Sequence, residues 1–571
     1  MTPDRLLDHF DRISDAPDAI PRLRQFILEL AVRGKLVDRD PRDEPASELL
    51  KRVHSEKERR IREGQMKKQE AFFEVRTEEA WFELPASWYW VRLGAIAQVV
   101  MGQSPKGDTY NKTGDGIPLI NGPVEFTEGP FGKTVINQYT TAPTNICEEG
   151  DLLLCVRGST TGRTNIAGFR ACIGRGVAAI RPFFADQYVR LFIWRLRAAI
   201  IAMGRGIVFP SVSRQQIEEL PVPLPPLAEQ HRIVGKVDEL MALCDRLEAS
   251  QVERESRRNR LAAATLHRLN NGADADAFRE HARFHIRHLP RLTTRPEHIH
   301  QLRQTILNLA VRGKMVPQDP NDEPASELLN RIQGEKKRMM EESAIKRLNP
   351  SPPIDAAEVL AEVPDSWIWV RLSDLMCGES RNGYSRKPDD ALDGIPILRI
   401  SAGTVRRDGI VAEEEHKLIA GVSAAQREQY RLEPGDLLAC RFNGNRGFVG
   451  RLSLYLGYLG INPIYPDKLI RLRLFSQFVL PPLVRCFAES NVVRRDIESY
   501  CATTVGNWGI SASNLKLVKF PLPPLAEQKR IAAKVQQLMA LCDRLEAQLA
   551  TTQNESRRML EAALHEAVNG H

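Results

Sequence analysis

A stretch of 27 residues, PLPPLAEQHRIVGKVDELMALCDRLEA (Pro223–Ala249), returns near the C-terminus as PLPPLAEQKRIAAKVQQLMALCDRLEA (Pro521–Ala547), identical at 22 of 27 positions. A prolyl opening, an acid in the first turn (Glu229, Glu527) and apolar residues at helical spacing predict a long helix from each copy. In the second copy Ile531, Val535, Leu538, Cys542, Leu545 and Leu549 alternate four and three apart, the seam of a coiled coil. Ile233, Val237, Leu240, Cys244 and Leu247 keep that register in the first copy, which weakens at Gln251. A helix from Leu227 to Leu269 would be ~60 Å long at about 1.5 Å per residue. Two such helices can bury their stripes against each other, so they are expected to form a spacer that carries everything else.

A second pair of near copies accompanies the first. LRQFILELAVRGKLVDRDPRDEPASELLKRV (Leu23–Val53) and LRQTILNLAVRGKMVPQDPNDEPASELLNRI (Leu302–Ile332) agree at 23 of 31 positions. Each predicts a short amphipathic helix stopped at Arg-Gly, with Gly34 or Gly313 as the left-handed cap. After a turn rich in Asp and Pro, DEPASELL opens another helix with Pro in its first turn. The charge-dense runs Ser55–Glu70 and Gly334–Arg347 read as solvated helix faces.

Between these helical blocks lie two segments that are not copies. They open with LPASWYWVRLGAIA (Leu84–Ala97) and VPDSWIWVRLSDLM (Val363–Met376), where alternating Trp88, Trp90, Trp367 and Trp369 predict a strand. Short β-like runs broken by Gly, Pro, Asn and Thr follow, with a helical run at Gln187–Met203 in the first segment and near Phe475–Glu489 in the second. The chain is therefore divided into a repeated helical segment (1–84), an inserted domain (85–221) and a long helix with linker (222–301). A second helical segment (302–363), a second inserted domain (364–519) and a second long helix (520–571) complete it. The expected fold class is α+β: two globular α+β domains joined by a long antiparallel two-helix coiled coil with pseudo-two-fold symmetry. Reading on from the C-terminal helix into residues 1–84 restores the order of the middle of the chain, so the termini should lie close together.

Composition narrows the function classes. With 42% apolar and 27% charged residues the chain is neither disordered nor fibrous. It has no apolar run long enough for a membrane span, and its acidic N-terminus lacks the basic-then-apolar pattern of a signal peptide. Nine scattered cysteines without a CxxC pair fit reduced thiols in a cytoplasm. The net charge of +7 is unevenly placed: residues 85–221 carry 14 basic against 10 acidic side chains, and 364–519 carry 21 against 17. The helical remainder is close to neutral, and a polyanion is a compatible partner for the inserted domains.

Several catalytic patterns come close and fail. Phe131-Gly132-Lys133-Thr134 has Thr127 where a phosphate-binding loop needs its first glycine. Asn462-Pro463-Ile464-Tyr465 lacks a proline and a Gly-rich cofactor loop of a DNA aminomethyltransferase. Pro388-Asp389 with Glu415-His416-Lys417 fits a loose nuclease pattern that arises readily by chance. His281, His285, His288, His298 and His300 sit in an Arg-rich, proline-interrupted linker rather than in a zinc spacing. No catalytic residue and no metal ligand is assigned. The functional expectation falls on Gly-punctuated loops whose Arg, Lys, Ser, Thr, Asn and Gln side chains suit phosphates and base edges. These are Arg157, Ser159, Thr160, Arg163 and Asn165 after Gly-Asp-Leu-Leu-Leu-Cys, and Arg441, Asn443, Asn445 and Arg446 after Gly-Asp-Leu-Leu-Ala-Cys. Gln103, Ser104 and Lys106 form a further loop. Packing between helices is assigned to Ile233, Val237, Leu240, Leu247, Ile531, Val535, Leu538, Leu545 and Leu549.

PLPPLAEQ opening a long helix, AVRGKLV with DEPASELL, and two divergent domains that each open on Ser-Trp-x-Trp-Val-Arg-Leu and contain Gly-Asp-Leu-Leu resemble, in this doubled arrangement, the specificity (S) subunit of type I restriction–modification systems. The resemblance covers essentially the whole chain. It implies two target recognition domains, each reading one half of a bipartite, asymmetric sequence in double-stranded DNA, with the two long helices setting the gap. It further implies docking of two methylation (M) subunits and of restriction (R) subunits. S-adenosylmethionine, ATP and Mg would then belong to those partners, with no cofactor in this chain. The competing expectations are a stand-alone DNA methyltransferase or nuclease, which needs a complete cofactor or metal constellation, and a coiled-coil scaffold that never touches DNA.

Overall fold

The computed structural model describes residues 18–66, 72–184, 186–203, 211–271, 275–342, 351–389, 392–404, 406, 408–412, 415–457, 462–504 and 506–569. The acidic N-terminal stretch expected to lack a signal pattern lies, over residues 1–17, outside them. The chain divides into two compact units, residues 1–254 with 553–571, and residues 255–552. Four helices recur below: α1 (Ala19–Val32), α2 (Leu227–Asn271), α3 (Pro296–Val311) and α4 (Leu525–Asn569). The long helices α2 and α4 each run unbroken for 45 residues, matching the length expected from the repeat.

In the first unit α1 stops at Gly34, whose φ of 67° is the left-handed cap expected of it. A side chain there would also collide with Pro85 at 2.8 Å and the Trp88 ring at 3.0 Å. The inserted domain then begins and ends on one small antiparallel ladder, Tyr89–Arg92 against Pro221–Leu224, with Trp90 opposite Pro223. Inside it, Ala97–Met101, Val177–Pro182, Leu152–Cys155 and Thr164–Ile166 form a four-stranded sheet in that spatial order, all pairs antiparallel. A five-stranded sheet beside it contains a parallel pair, Ile117–Ile120 with Ala171–Ile173. Strands buried on both faces, such as Leu152–Cys155, read as unbroken apolar runs for that reason. The helical run expected at Gln187–Met203 is two helices, Asp186–Arg195 and Arg197–Met203.

The second unit repeats the plan. Gly313, φ 69°, packs against Pro364 and Trp367, and Ile368–Arg371 pairs with Lys519–Leu522, Trp369 opposite Pro521. Arg381–Asn382, Leu469–Leu472, Leu437–Cys440 and Leu452–Leu454 form the matching four-stranded sheet, again antiparallel. The neighbouring sheets differ: a two-stranded pair (Ile395–Leu398, His416–Ile419) and a three-stranded sheet (Phe442–Asn443, Asn507–Gly509, Ala502–Thr504) replace the five-stranded one. DEPASELL begins its helices at Ala46 and Ala325, with the proline just before rather than within the first turn. Residues expected as a histidine-bearing linker form the helix Ala275–Leu292, with Pro290 near its end.

The stripe of each long helix is covered, within its own unit, by the short repeated helix. Ile233, Val237 and Cys244 are buried among Ile20, Ile27, Leu28 and Ala31 of α1, with Leu240 packed beside them. In the second unit Ile531 and Val535 enter the main core with Leu307, Ala310 and Val311, while Cys542 is buried with Ile299 and Ile306 of α3. Leu538, Leu545 and Leu549 pack around that cluster. Each fully buried Ile, Val or Leu is worth about 1.5–3 kcal/mol. Leu247, placed on the stripe by spacing, is instead 36% exposed. At its level the two helices are joined by charge: Arg24 of α1 bridges Asp245 and Glu248 at 2.6 and 2.7 Å.

Candidate nucleic-acid interface

The Gly-Asp-Leu-Leu words shared by the two domains are foundations for the loops that follow them. Asp151 and Asp436, 4% and 1% exposed, each accept two hydrogen bonds from an arginine of the neighbouring strand or just past its end. Arg181 donates to Asp151 at 2.7 and 2.6 Å, and Arg473 to Asp436 at 2.7 and 2.7 Å. Each aspartate also accepts a backbone N–H, from Glu148 or Glu433, at 2.8 Å. The bidentate pair fixes the strand that leads into the candidate loop.

In the first domain that loop splits in two. Its opening half faces out: Arg157 and Ser159 are exposed, and Gly158 is left-handed. Its closing half faces in. Asn165 is fully buried and donates through Nδ2 to the carbonyls of Thr127 and Gly129 at 3.2 and 3.4 Å. Arg163 donates to the carbonyls of Phe126 and Thr127 at 3.4 and 3.3 Å and lies over the Phe126 ring. Both hold the 126–129 segment and are removed from the set of outward-facing residues. Thr160 is half-buried. The second loop meets the first at one turn: Gly102 donates to the Val177 carbonyl, Gln103 to that of Ile173, and Val156 to that of Gly176. Gln103 and Lys106 are exposed, and Ser104 Oγ accepts the backbone N–H of Arg175 at 3.1 Å. Arg175, exposed on that turn, joins Lys106, Arg157 and Ser159, although sequence reading passed over it; the signal was its setting between Gly174 and Gly176.

In the second domain the corresponding loop is laid along a sheet. Asn443 pairs across strands with Trp508, and Trp508 with Thr503, so the three stand in one row. Arg446, exposed, lies 4.8 Å over the Trp508 ring and donates to the Glu498 carbonyl at 2.8 Å. Arg441 and Lys468 both stand over the Phe442 ring, at 4.7 and 5.2 Å from its centre. Phe442 in turn covers Gly509, where a Cβ would sit 2.5 Å from its ring. Asn445 is exposed and caps the following turn, its Oδ1 accepting from Gly447 at 2.9 Å. Thr503, Asn507 and Trp508 were not singled out from sequence, because their hairpin lies about 60 residues from the loop in the chain, and Lys468 reaches it from the start of the Leu469–Leu472 strand. The resulting patch combines cations, amides and half-exposed aromatic rings, which suits a nucleic-acid surface.

The near-miss catalytic patterns serve packing. Tyr465 is fully buried, donating to the Arg381 carbonyl at 3.2 Å. Asp389 binds Arg386 and the Ala420 backbone, and Glu415 accepts from Ser401. His285 is buried against Thr265 Oγ1 at 3.0 Å, and burial lowers its pKa. Among the described residues no group of three or more His, Cys, Asp or Glu is placed to hold a metal, and no helix is long and apolar enough to cross a membrane.

The chain is similar to several known proteins. The family described as the type I restriction modification DNA specificity domain matches residues 85–255 and 495–552. The Escherichia coli type I restriction enzyme EcoEI specificity subunit is 30% identical over 569 residues, covering 96% of this chain and 94% of that one. The EcoAI specificity subunit of the same species is 30% identical over 573 residues with the same coverage. Among solved structures, the HsdS subunit from Thermoanaerobacter tengcongensis is 26% identical over 36% of this chain and 51% of that one, with a TM-score of 0.27.

Proposed function

Because the chain belongs to the DNA specificity subunits of type I restriction–modification systems, we propose that residues 85–221 and 364–519 each read one half of a bipartite, asymmetric site in double-stranded DNA. The family is non-catalytic and binds no cofactor; its members work inside a type I complex whose partner subunits carry the chemistry. In our reading two methylation subunits dock here and transfer methyl groups from S-adenosylmethionine to adenine, and restriction subunits add cleavage driven by ATP with Mg. The complex then acts where genomic DNA is, in the cytoplasm.

The observation that carries this reading is the pair of unlike polar surfaces on like foundations. Gln103, Ser104, Lys106, Arg157, Ser159 and Arg175 stand on the first domain. Arg441, Asn443, Asn445, Arg446, Lys468 and Trp508 stand on the second. Lys and Arg contacts to phosphate place each domain and make binding salt-dependent. Amide and guanidinium contacts to base edges then discriminate, at about 1–3 kcal/mol per good bidentate contact. Exchange of residues 85–221 for the matching domain of a relative, followed by mapping of methylated adenines, is expected to change one half-site and keep the other. A change in both halves overturns the reading.

A further inference from the structure

Four residues recur, with the same contacts to one another, where each inserted domain meets its long helix; Glu527 also accepts from Gln318 Nε2 at 2.6 Å, a contact Glu229 does not share. Glu229 and Glu527 are 1% and 0% exposed. Each accepts the indole N–H of the tryptophan that opens the neck ladder, Trp88 at 3.0 Å and Trp367 at 2.8 Å. Three residues further along each helix, Arg232 and Arg530 make bidentate pairs with Asp43 (3.1 and 2.6 Å) and Asp322 (3.3 and 2.6 Å) of the DEPASELL turn. The side chain after each glutamate holds the turn that enters the helix. Gln230 donates to the Pro225 carbonyl at 2.8 Å, and Gln528 to those of Pro523 and Phe478 at 3.0 and 3.2 Å. The glycine caps Gly34 and Gly313 leave no room between helix end and tryptophan. A buried carboxylate is a costly way to hold two elements together when an apolar contact would serve. What it adds is direction: the indole N–H must point at one oxygen, so the neck can attach in one orientation only.

We infer that Trp88–Glu229 with Asp43–Arg232, and Trp367–Glu527 with Asp322–Arg530, are positioning residues for target choice. They fix the angle at which each recognition domain leaves its own helix, and through it the spacing between half-sites that the complex accepts. This rests on the DNA-reading role proposed above. None of the eight side chains touches DNA in this scheme, so half-site sequence is left alone and only tolerance of spacing changes.

The test uses the full chain reconstituted with its methylation subunits. The probes are duplexes carrying the complex's own site at its natural spacing and at one base pair more or less. Trp367→Phe keeps the ring and removes the N–H; it is expected to lower the preference for natural over altered spacing at least tenfold, with both half-sites unchanged. Glu527→Gln keeps the acceptor and is expected to hold that preference within twofold of the parent. If Trp367→Phe does not fold, Asp322→Asn, which weakens the second contact, takes its place with the same expectation. A folded variant that methylates only the natural spacing, as the parent does, overturns the inference. So does a Glu527→Gln variant as permissive as Trp367→Phe, since charge rather than direction would then matter. A parent complex with no sequence preference fails the DNA-reading role itself, a separate result.

Discussion

The loop that follows Gly-Asp-Leu-Leu occupies the same place in both inserted domains and is put to opposite uses. In the first domain its arginine and asparagine turn inward: Arg163 and Asn165 donate to the carbonyls of residues 126–129. In the second, Arg446 lies over Trp508 on an exposed sheet. The foundation beneath is the same in both, a buried aspartate gripped by an arginine. The comparison teaches that residue type and spacing place a loop, while its neighbours decide which way its side chains face. The first domain has the 126–129 segment to hold; the second has a hairpin beside the loop.

The largest effect should come from the shared part. Asp151→Ala leaves the half-buried Arg181 without its partner, whereas after Asp436→Ala the half-buried Arg473 still has Glu433 at 3.0 Å. Asp151→Ala is expected to destabilise its domain by roughly 3 kcal/mol, the low end for a broken buried pair because the arginine keeps some solvent, and Asp436→Ala by less, because Glu433 remains. Urea unfolding of the full chain measures it, and a loss confined to one variant would break the equivalence of the foundations. Next come the parts that differ. Asn165→Ala should cost about 1–3 kcal/mol of stability, since two carbonyls lose their donor in the interior. Arg446→Ala should leave unfolding unchanged and weaken DNA binding about tenfold, ~1.4 kcal/mol. Fluorescence anisotropy titrations beside the melts decide the matter; Asn165→Ala weakening binding in a fully stable protein would reverse the assignment.

The smallest effect concerns the neck. Burial raises the Glu527 carboxyl above its ordinary range, opposed by hydrogen bonds from Trp367 and Gln318. A folded state that holds this proton more tightly than the unfolded chain loses stability as pH climbs from the ordinary carboxylate range through the raised value. Glu527→Gln removes that titration, so its stability relative to the parent should improve as pH rises across the window. Chemical unfolding midpoints taken along a pH series check the sign. Glu229, raised for the same first reason, should behave alike in the other unit.

The frame was legible because it is written twice. Repetition identified α2 and α4, the Gly34 and Gly313 caps and the opening tryptophans, each of which has a local signature. What covers the stripe was not legible, since α1 and α3 present apolar faces as good as those of the long helices, and periodicity does not name a partner. The candidate loops were half legible. Arg157, Ser159, Asn445 and Arg446 face out as their Gly-rich setting suggests. Arg163 and Asn165 carry the same chemistry but have backbone carbonyls within reach. Lys468 and Trp508 join the surface through strand pairing across a long sequence gap, which no local pattern encodes.

The nine cysteines are all free, and most are buried. Burial pushes the Cys147 thiol up to about 12, and those of Cys155 and Cys440, which close the strands beneath the two loops, up to about 11. Such thiols stay protonated at neutral pH and are sluggish toward maleimides and iodoacetamide. One cysteine introduced at Ser159 or Asn445, both exposed, would therefore outpace these three native thiols in taking a fluorophore or a crosslinker. Each proposed reading surface could then be watched separately in the presence of DNA.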